Sequence, residues 1–171
     1  MSALSDVLIV IDLQNGVCHN GATAIHNFEN LVELVNRRIT SYQEEKRPII
    51  FIQHSDEDLM IDTYSWEIIS ELIQSPDNYF LGKTHANSFY QTSLQELLTE
   101  LKVNSIEFCG AQTQYCMDAT IKFAHGLGYK LSLMKSASST YDDALISAAD
   151  MIRFYEKIWD KRFLTLLEEF M

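Results

Sequence analysis

Short runs of apolar residues alternate along the chain with longer stretches in which apolar residues recur every three or four positions. Residues 6–13 are rich in Val, Ile and Leu with no polar alternation, the mark of a strand buried on both faces. Beyond a glycine-bearing loop, Leu31, Leu34, Val35, Ile39 and Tyr42 share one stripe of an amphipathic helix, with Arg37, Arg38 and Glu45 outside. Pro48 opens a second apolar run over residues 49–53. An acidic loop follows, with Asp56, Glu57, Asp58 and Asp62, and then a short helix carrying Trp66, Ile69, Leu72 and Ile73 on one stripe.

The second half repeats the alternation. Residues 79–81 form a short strand ending at Gly82 and Lys83. Thr92 with Gln95, and Ser93 with Glu96, have capping-box spacing ahead of a helix whose inner face is Leu94, Leu97, Leu98 and Leu101. A strand over 105–109 is turned by Gly110 into a helix over 113–127, and residues 130–134 give a fifth strand. Leu145, Ala148, Ile152, Tyr155 and Trp159 line a long helix starting near Asp142. Residues 162–164 read as a sixth strand, and Thr165 to Glu168 has the spacing of a capping box for a terminal helix.

Strands alternating with helices predict an α/β fold: a single Rossmann-like three-layer sandwich over residues 1–171, with a six-stranded, mostly parallel sheet between helices on both faces. The length of 171 residues suits one domain. With 47% hydrophobic and 22% charged residues the composition is that of an ordinary globular protein. The formal net charge of −11 disfavours nucleic acid and anionic membrane surfaces as partners. No apolar run is long enough to span a bilayer, and residues 1–6 show no basic region followed by a cleavable apolar segment, so a cytoplasmic protein is expected. Three cysteines, Cys18, Cys109 and Cys116, argue against a disulfide scaffold.

In a parallel sheet ligands gather beyond the carboxyl ends of the strands. Asp12, Gln14, His54, Lys83 and the turn over 110–116 all sit at or just past such ends. Cys116 falls in the first turn of its helix, where unpaired N–H groups and the helix dipole favour a thiolate; Lys83 would push the same way, and Asp12 could accept the thiol proton. That trio supplies what covalent acyl transfer requires. By spacing alone the bland readings stand beside it: Cys116 a small buried hydrophobe, Asp12 a loop cap, Lys83 a surface charge. Cys109, inside a strand, reads as inert packing.

Four blocks in order resemble the isochorismatase-like cysteine hydrolases, which include nicotinamidases and N-carbamoylsarcosine amidases. They are Val7-Leu8-Ile9-Val10-Ile11-Asp12-Leu13-Gln14-Asn15; residues 49–54; Lys83 followed by Phe89, Thr92 and Leu94 in a Phe-x-x-Thr-x-Leu pattern; and Phe108-Cys109-Gly110-Ala111-Gln112-Thr113-Gln114-Tyr115-Cys116-Met117-Asp118-Ala119-Thr120. The resemblance implies a triad of Asp12, Lys83 and Cys116. It also implies a non-proline cis peptide between Ala111 and Gln112, and an oxyanion hole from the backbone N–H groups of Gln112 and Cys116. The activity implied is hydrolysis of a small amide or carbamoyl substrate through a thioester, in a homo-oligomer. Metal-dependent nicotinamidases carry Asp-x-His after the second strand, whereas this chain has His54-Ser55-Asp56, the reverse order, with His85 further on. No cofactor and no metal are therefore expected. Gln14, Phe89 and Tyr115 are the candidate pocket residues, with Tyr64 and Trp66 as further aromatics. Two other readings remain open: vinyl-ether cleavage with Asp12 as general acid, and a flavodoxin-like nucleotide-binding module, although no glycine-rich phosphate cradle is visible.

Overall fold

A computed structural model describes residues 4–168. In chain order the elements are β1 (Val7–Ile11), α1 (Asn15–Cys18), β2 (His19–Asn20), β3 (Thr23–Ala24), α2 (Phe28–Glu44), β4 (Ile49–His54), β5 (Tyr79–Lys83), α3 (Leu94–Glu100), β6 (Ser105–Ala111), a π-helical turn (Thr113–Met117), α4 (Asp118–Gly126), β7 (Lys130–Ser139), α5 (Ala148–Trp159) and β8 (Thr165–Leu167). Six strands form one sheet in the order β5-β4-β1-β6-β7-β8, with every neighbouring pair parallel. Helices flank it in a single α/β domain, while β2 and β3 make a separate small hairpin.

Every residue of β1 is buried, as a central strand covered on both faces must be. From β1 the chain moves outward to β4 and β5, then returns to place β6 on the other side of β1. The switch point between β1 and β6 opens a crevice at their carboxyl ends, where parallel sheets take their ligands. Gly110 lets these two strands meet. A Cβ there would lie 2.1 Å from the Ile11 carbonyl oxygen, and its φ of +138° is one that only glycine adopts readily.

Several elements depart from the sequence expectations. No helix forms over 66–73. Instead the Trp66 carbonyl accepts from the Gln14 and Gln53 side-chain amides, and Ile68 bridges Gln14, so groups from distant strand ends take the place of helical bonds. The expected capping boxes before α3 are absent: Ser93 makes no side-chain cap, and Thr92 accepts from the Leu94 N–H while donating to the Ser88 carbonyl. Gly110 lies within β6 rather than after it. β7 continues to Ser139 through an irregularity that restores pairing of Ser138 and Ser139 with Gly110 and Ala111. The helix expected from Asp142 begins at Ala148, capped by Ser147, while Asp142 accepts from the Ala148 N–H. The last strand is β8 rather than 162–164, so Thr165 is a strand residue and not a helix cap. The rest of the expected terminal helix lies outside the described residues.

Arg38 also departs from its expected place outside α2. Its guanidinium donates to both oxygens of buried Glu107, at 2.6 and 2.7 Å, and the Tyr42 hydroxyl donates to the same carboxylate at 2.9 Å. The Ser5 N–H in turn donates to Tyr42. A charged carboxylate can stay inside a sheet only when its oxygens are matched in this way.

Candidate active site

Asp12 follows the last residue of β1. Its N–H still donates to Ile52 of β4, and it turns with φ of 52°, which sends the chain out of the sheet while the side chain stays buried. Lys83 ends β5, two strands away in the order β5-β4-β1. Neighbouring strands are roughly 4.8 Å apart, so a lysine chain is about long enough to cross the end of β4 and reach β1. It does so: Nζ donates to Asp12 Oδ2 at 2.7 Å and to Cys116 Sγ at 3.3 Å. Cys116 is carried by the π-helical turn after β6. There the Gln112 carbonyl accepts from the Tyr115 and Met117 N–H groups, on either side of Cys116 in the chain. Thr113 bonded to Ser138, and Thr140 bonded to the Gln112 side chain, tie this turn to the end of β7. The Ala111–Gln112 peptide is cis.

The electrostatics differ from the sequence expectation in one respect. Burial pushes the Cys116 thiol up to about 12; the Asp12 charge pushes the same way, and Lys83 opposes both. The thiol at rest is therefore protonated, because desolvation and the Asp12 charge outweigh the lysine. Burial also holds the Asp12 carboxyl above its ordinary range, against the pull of Lys83, Cys116 and His54. Asp12 Oδ2 is taken by Lys83, whereas Oδ1 is buried with no hydrogen-bond partner among the described residues. A buried free acceptor is costly unless something is to be received there, and the neighbouring thiol proton is available. Cys18 and Cys109 are both buried, and burial raises both thiols, leaving Cys116 as the half-exposed cysteine.

The remaining candidates divide. Gln14 is fully buried, and its amide is committed to the backbone: Nε2 donates to the His54 and Trp66 carbonyls and Oε1 accepts from the His54 N–H. It braces the rim and does not face a substrate. Phe89 lies in the core against Phe123 and Tyr129, not in a pocket wall. Tyr115 is 58% exposed and Tyr64 is 74% exposed. Trp66 contributes its carbonyl to the Gln14 and Gln53 amides. Ser88, just before the Phe-x-x-Thr-x-Leu segment, bonds Thr120, which fastens the stretch after β5 to α4.

His54 and His85 are not brought together. His85 bonds Thr84 and packs edge-on against Tyr90. His54 has one ring nitrogen on Lys83 and the other on Asp56. Among the described residues no three His, Cys, Asp or Glu side chains are grouped as metal ligands. Both His54 ring nitrogens are bonded to protein groups, and His85 has separate partners.

A carboxylate, an ammonium and a thiol joined at the switch point of a parallel α/β sheet define a class of protein whose chemistry is done at the strand ends. Comparison with known proteins narrows that class. The isochorismatase domain model matches residues 6–157, and the chain belongs to that family of hydrolases. A solved isochorismatase-family protein superposes with a TM-score of 0.92 at 40% identity, covering 94% of this chain and 96% of its own. An uncharacterised isochorismatase-family protein of Bacillus subtilis is 27% identical over 142 residues, covering 80% of this chain and 79% of the relative. Nicotinamidase 3 of Arabidopsis thaliana is 24% identical over 162 residues, covering 84% of this chain and 78% of the relative. The chain spans 54% of a streptothricin hydrolase of Streptomyces noursei, to which it is 25% identical over 138 residues. The N-carbamoylsarcosine amidase of Thermoplasma acidophilum shares the fold, with a TM-score of 0.80 at 18% identity over 95% of each chain. No helix among the described residues is long and apolar enough to cross a membrane.

Proposed function

We propose that the protein hydrolyses the C–N bond of a small amide or carbamoyl compound, with Cys116 as nucleophile, Asp12 as base and Lys83 as their electrostatic partner. One observation carries this reading: the Lys83 ammonium is bonded at once to the Asp12 carboxylate and to the Cys116 sulfur. It holds base and nucleophile side by side and balances whichever of them is negative. Relatives named for nicotinamide and carbamoylsarcosine hydrolysis support the same substrate class.

In the first half-reaction the Cys116 proton passes to Asp12 as sulfur attacks the carbonyl carbon. The carbonyl electron pair moves to oxygen, which the N–H groups of Gln112 and Cys116 receive; each such donor contributes on the order of 3 kcal/mol to the transition state. The tetrahedral centre collapses with cleavage of C–N, and the leaving nitrogen takes the proton from Asp12. In the second half-reaction water gives a proton to Asp12 and its oxygen to the thioester carbon. The sulfur departs and regains the proton from Asp12, and the acid is released. Lys83 remains positive throughout, so charge never accumulates unbalanced in the buried site.

A purified sample assayed against a panel of small amides and ureides, scored by ammonia release, is expected to turn over at least one neutral compound. A second reading has its own support. Burial raises the Asp12 carboxyl, and a protonated Asp12 could act as general acid on a vinyl ether, with Cys116 dispensable. Pyruvate released from isochorismate, without ammonia from any amide, would establish that reading instead.

A further inference from the structure

The Lys83 ammonium has a third contact that the reaction does not use. Besides Asp12 Oδ2 and Cys116 Sγ, Nζ lies 3.0 Å from His54 Nδ1. An ammonium has three donors and no acceptor. All three of its hydrogens are thus directed, and His54 Nδ1 must be the unprotonated, accepting nitrogen. The proton of the neutral ring then sits on Nε2, which faces Asp56 Oδ2 at 3.2 Å.

Asp56 is itself fixed. Its Oδ1 accepts the N–H groups of Asp58 and Leu59 at 2.9 Å each, closing the turn that opens the acidic loop. His54 is held from behind as well, because Gln14 bonds both its N–H and its carbonyl. The register pairs His54 of β4 with Lys83 of β5, and Lys83 must pass over the end of β4 to reach β1. The imidazole therefore stands where the lysine chain crosses.

We infer that His54 is a positioning residue for Lys83: its Nδ1 takes the third ammonium hydrogen and aims the other two at Asp12 and Cys116, with Asp56 holding the ring in the one tautomer that can do so. Without that acceptor the ammonium carries an unsatisfied buried hydrogen and is free to swing away from sulfur. The role assigned to Lys83 in turnover rests on the proposed hydrolase reading. The placement of the ammonium beside the thiol does not, and it is read without any substrate.

The test is the rate at which iodoacetamide alkylates Cys116 at about pH 8, followed by peptide mass mapping, in wild type and two variants. His54→Asn keeps an oxygen close to the position of Nδ1; His54→Leu fills the space without an acceptor. Lys83 opposes the burial that keeps the thiol protonated, so losing its position slows alkylation. His54→Leu is expected to react about tenfold more slowly than wild type, and His54→Asn to stay within about threefold, with the thermal midpoints of both near wild type. Once an amide substrate is found, the same split is expected in kcat with KM little changed. Alkylation of His54→Leu at the wild-type rate or faster overturns the inference, and so does an equal loss in His54→Asn. If the alkylation split appears while no amide is turned over, the positioning role stands and the hydrolase reading falls.

Discussion

At the scale of single residues, the site depends on which of two opposing fields acts on Cys116. Burial and the Asp12 carboxylate keep the thiol protonated, with Lys83 pulling the other way. Asp12→Asn removes the charge that raises the thiol and leaves the lysine that lowers it. The variant is expected to alkylate at about pH 8 roughly tenfold faster than wild type, one pH unit of thiol shift being a factor of ten. It should at the same time lose about 10²- to 10⁴-fold in amide turnover, since the general base is gone. In wild type the alkylation rate should keep climbing above pH 9, where an ordinary thiol of pKa ~8.5 has begun to level off. Slower alkylation in Asp12→Asn would show that the carboxylate does not oppose ionisation of the thiol. Asp12, Lys83 and Cys116 were legible as groups at or just past strand ends, and the four-block resemblance singled them out from the bland readings of each. The part of His54 was not. It depends on Lys83 crossing β4, and strand order is not written in any local pattern.

At the scale of elements, propensity gave way wherever distant side chains claimed the backbone. Residues 66–73 carry a helical stripe, yet the Gln14 and Gln53 amides both end on the Trp66 carbonyl. The end of β7 was unreadable because its length is set by pairing across to Gly110 and Ala111, past an irregularity. Arg38 falls on the outer side of α2 by periodicity, but its partner Glu107 is far along the chain in β6. That pair makes a prediction at this scale. Arg38→Ala leaves a carboxylate buried inside the sheet with Tyr42 alone, and is expected to cost about 3–5 kcal/mol in urea unfolding. A loss below about 1 kcal/mol, as for an exposed pair, would show that Glu107 is not carried as a charge.

At the scale of the whole molecule, the order β5-β4-β1-β6-β7-β8 places the ends of β1 and β6 side by side. Asp12 and the turn bearing Cys116 meet there because the chain reverses its direction of sheet growth at that seam. The alternation of strands and helices made the fold class legible from one sequence, but the strand order that sets the seam was not. The net charge of −11 adds a constraint on what enters: a dicarboxylate would meet repulsion, whereas a neutral amide would not. The central claim is that Cys116 becomes covalently acylated. Intact-mass spectrometry of the protein, quenched in acid during turnover of an accepted amide, reads this directly. The account predicts a species heavier by the acyl group, mapped to Cys116, and neither that species nor ammonia release in Cys116→Ala. Turnover by Cys116→Ala at the wild-type rate, with no acylated protein in either sample, would contradict it.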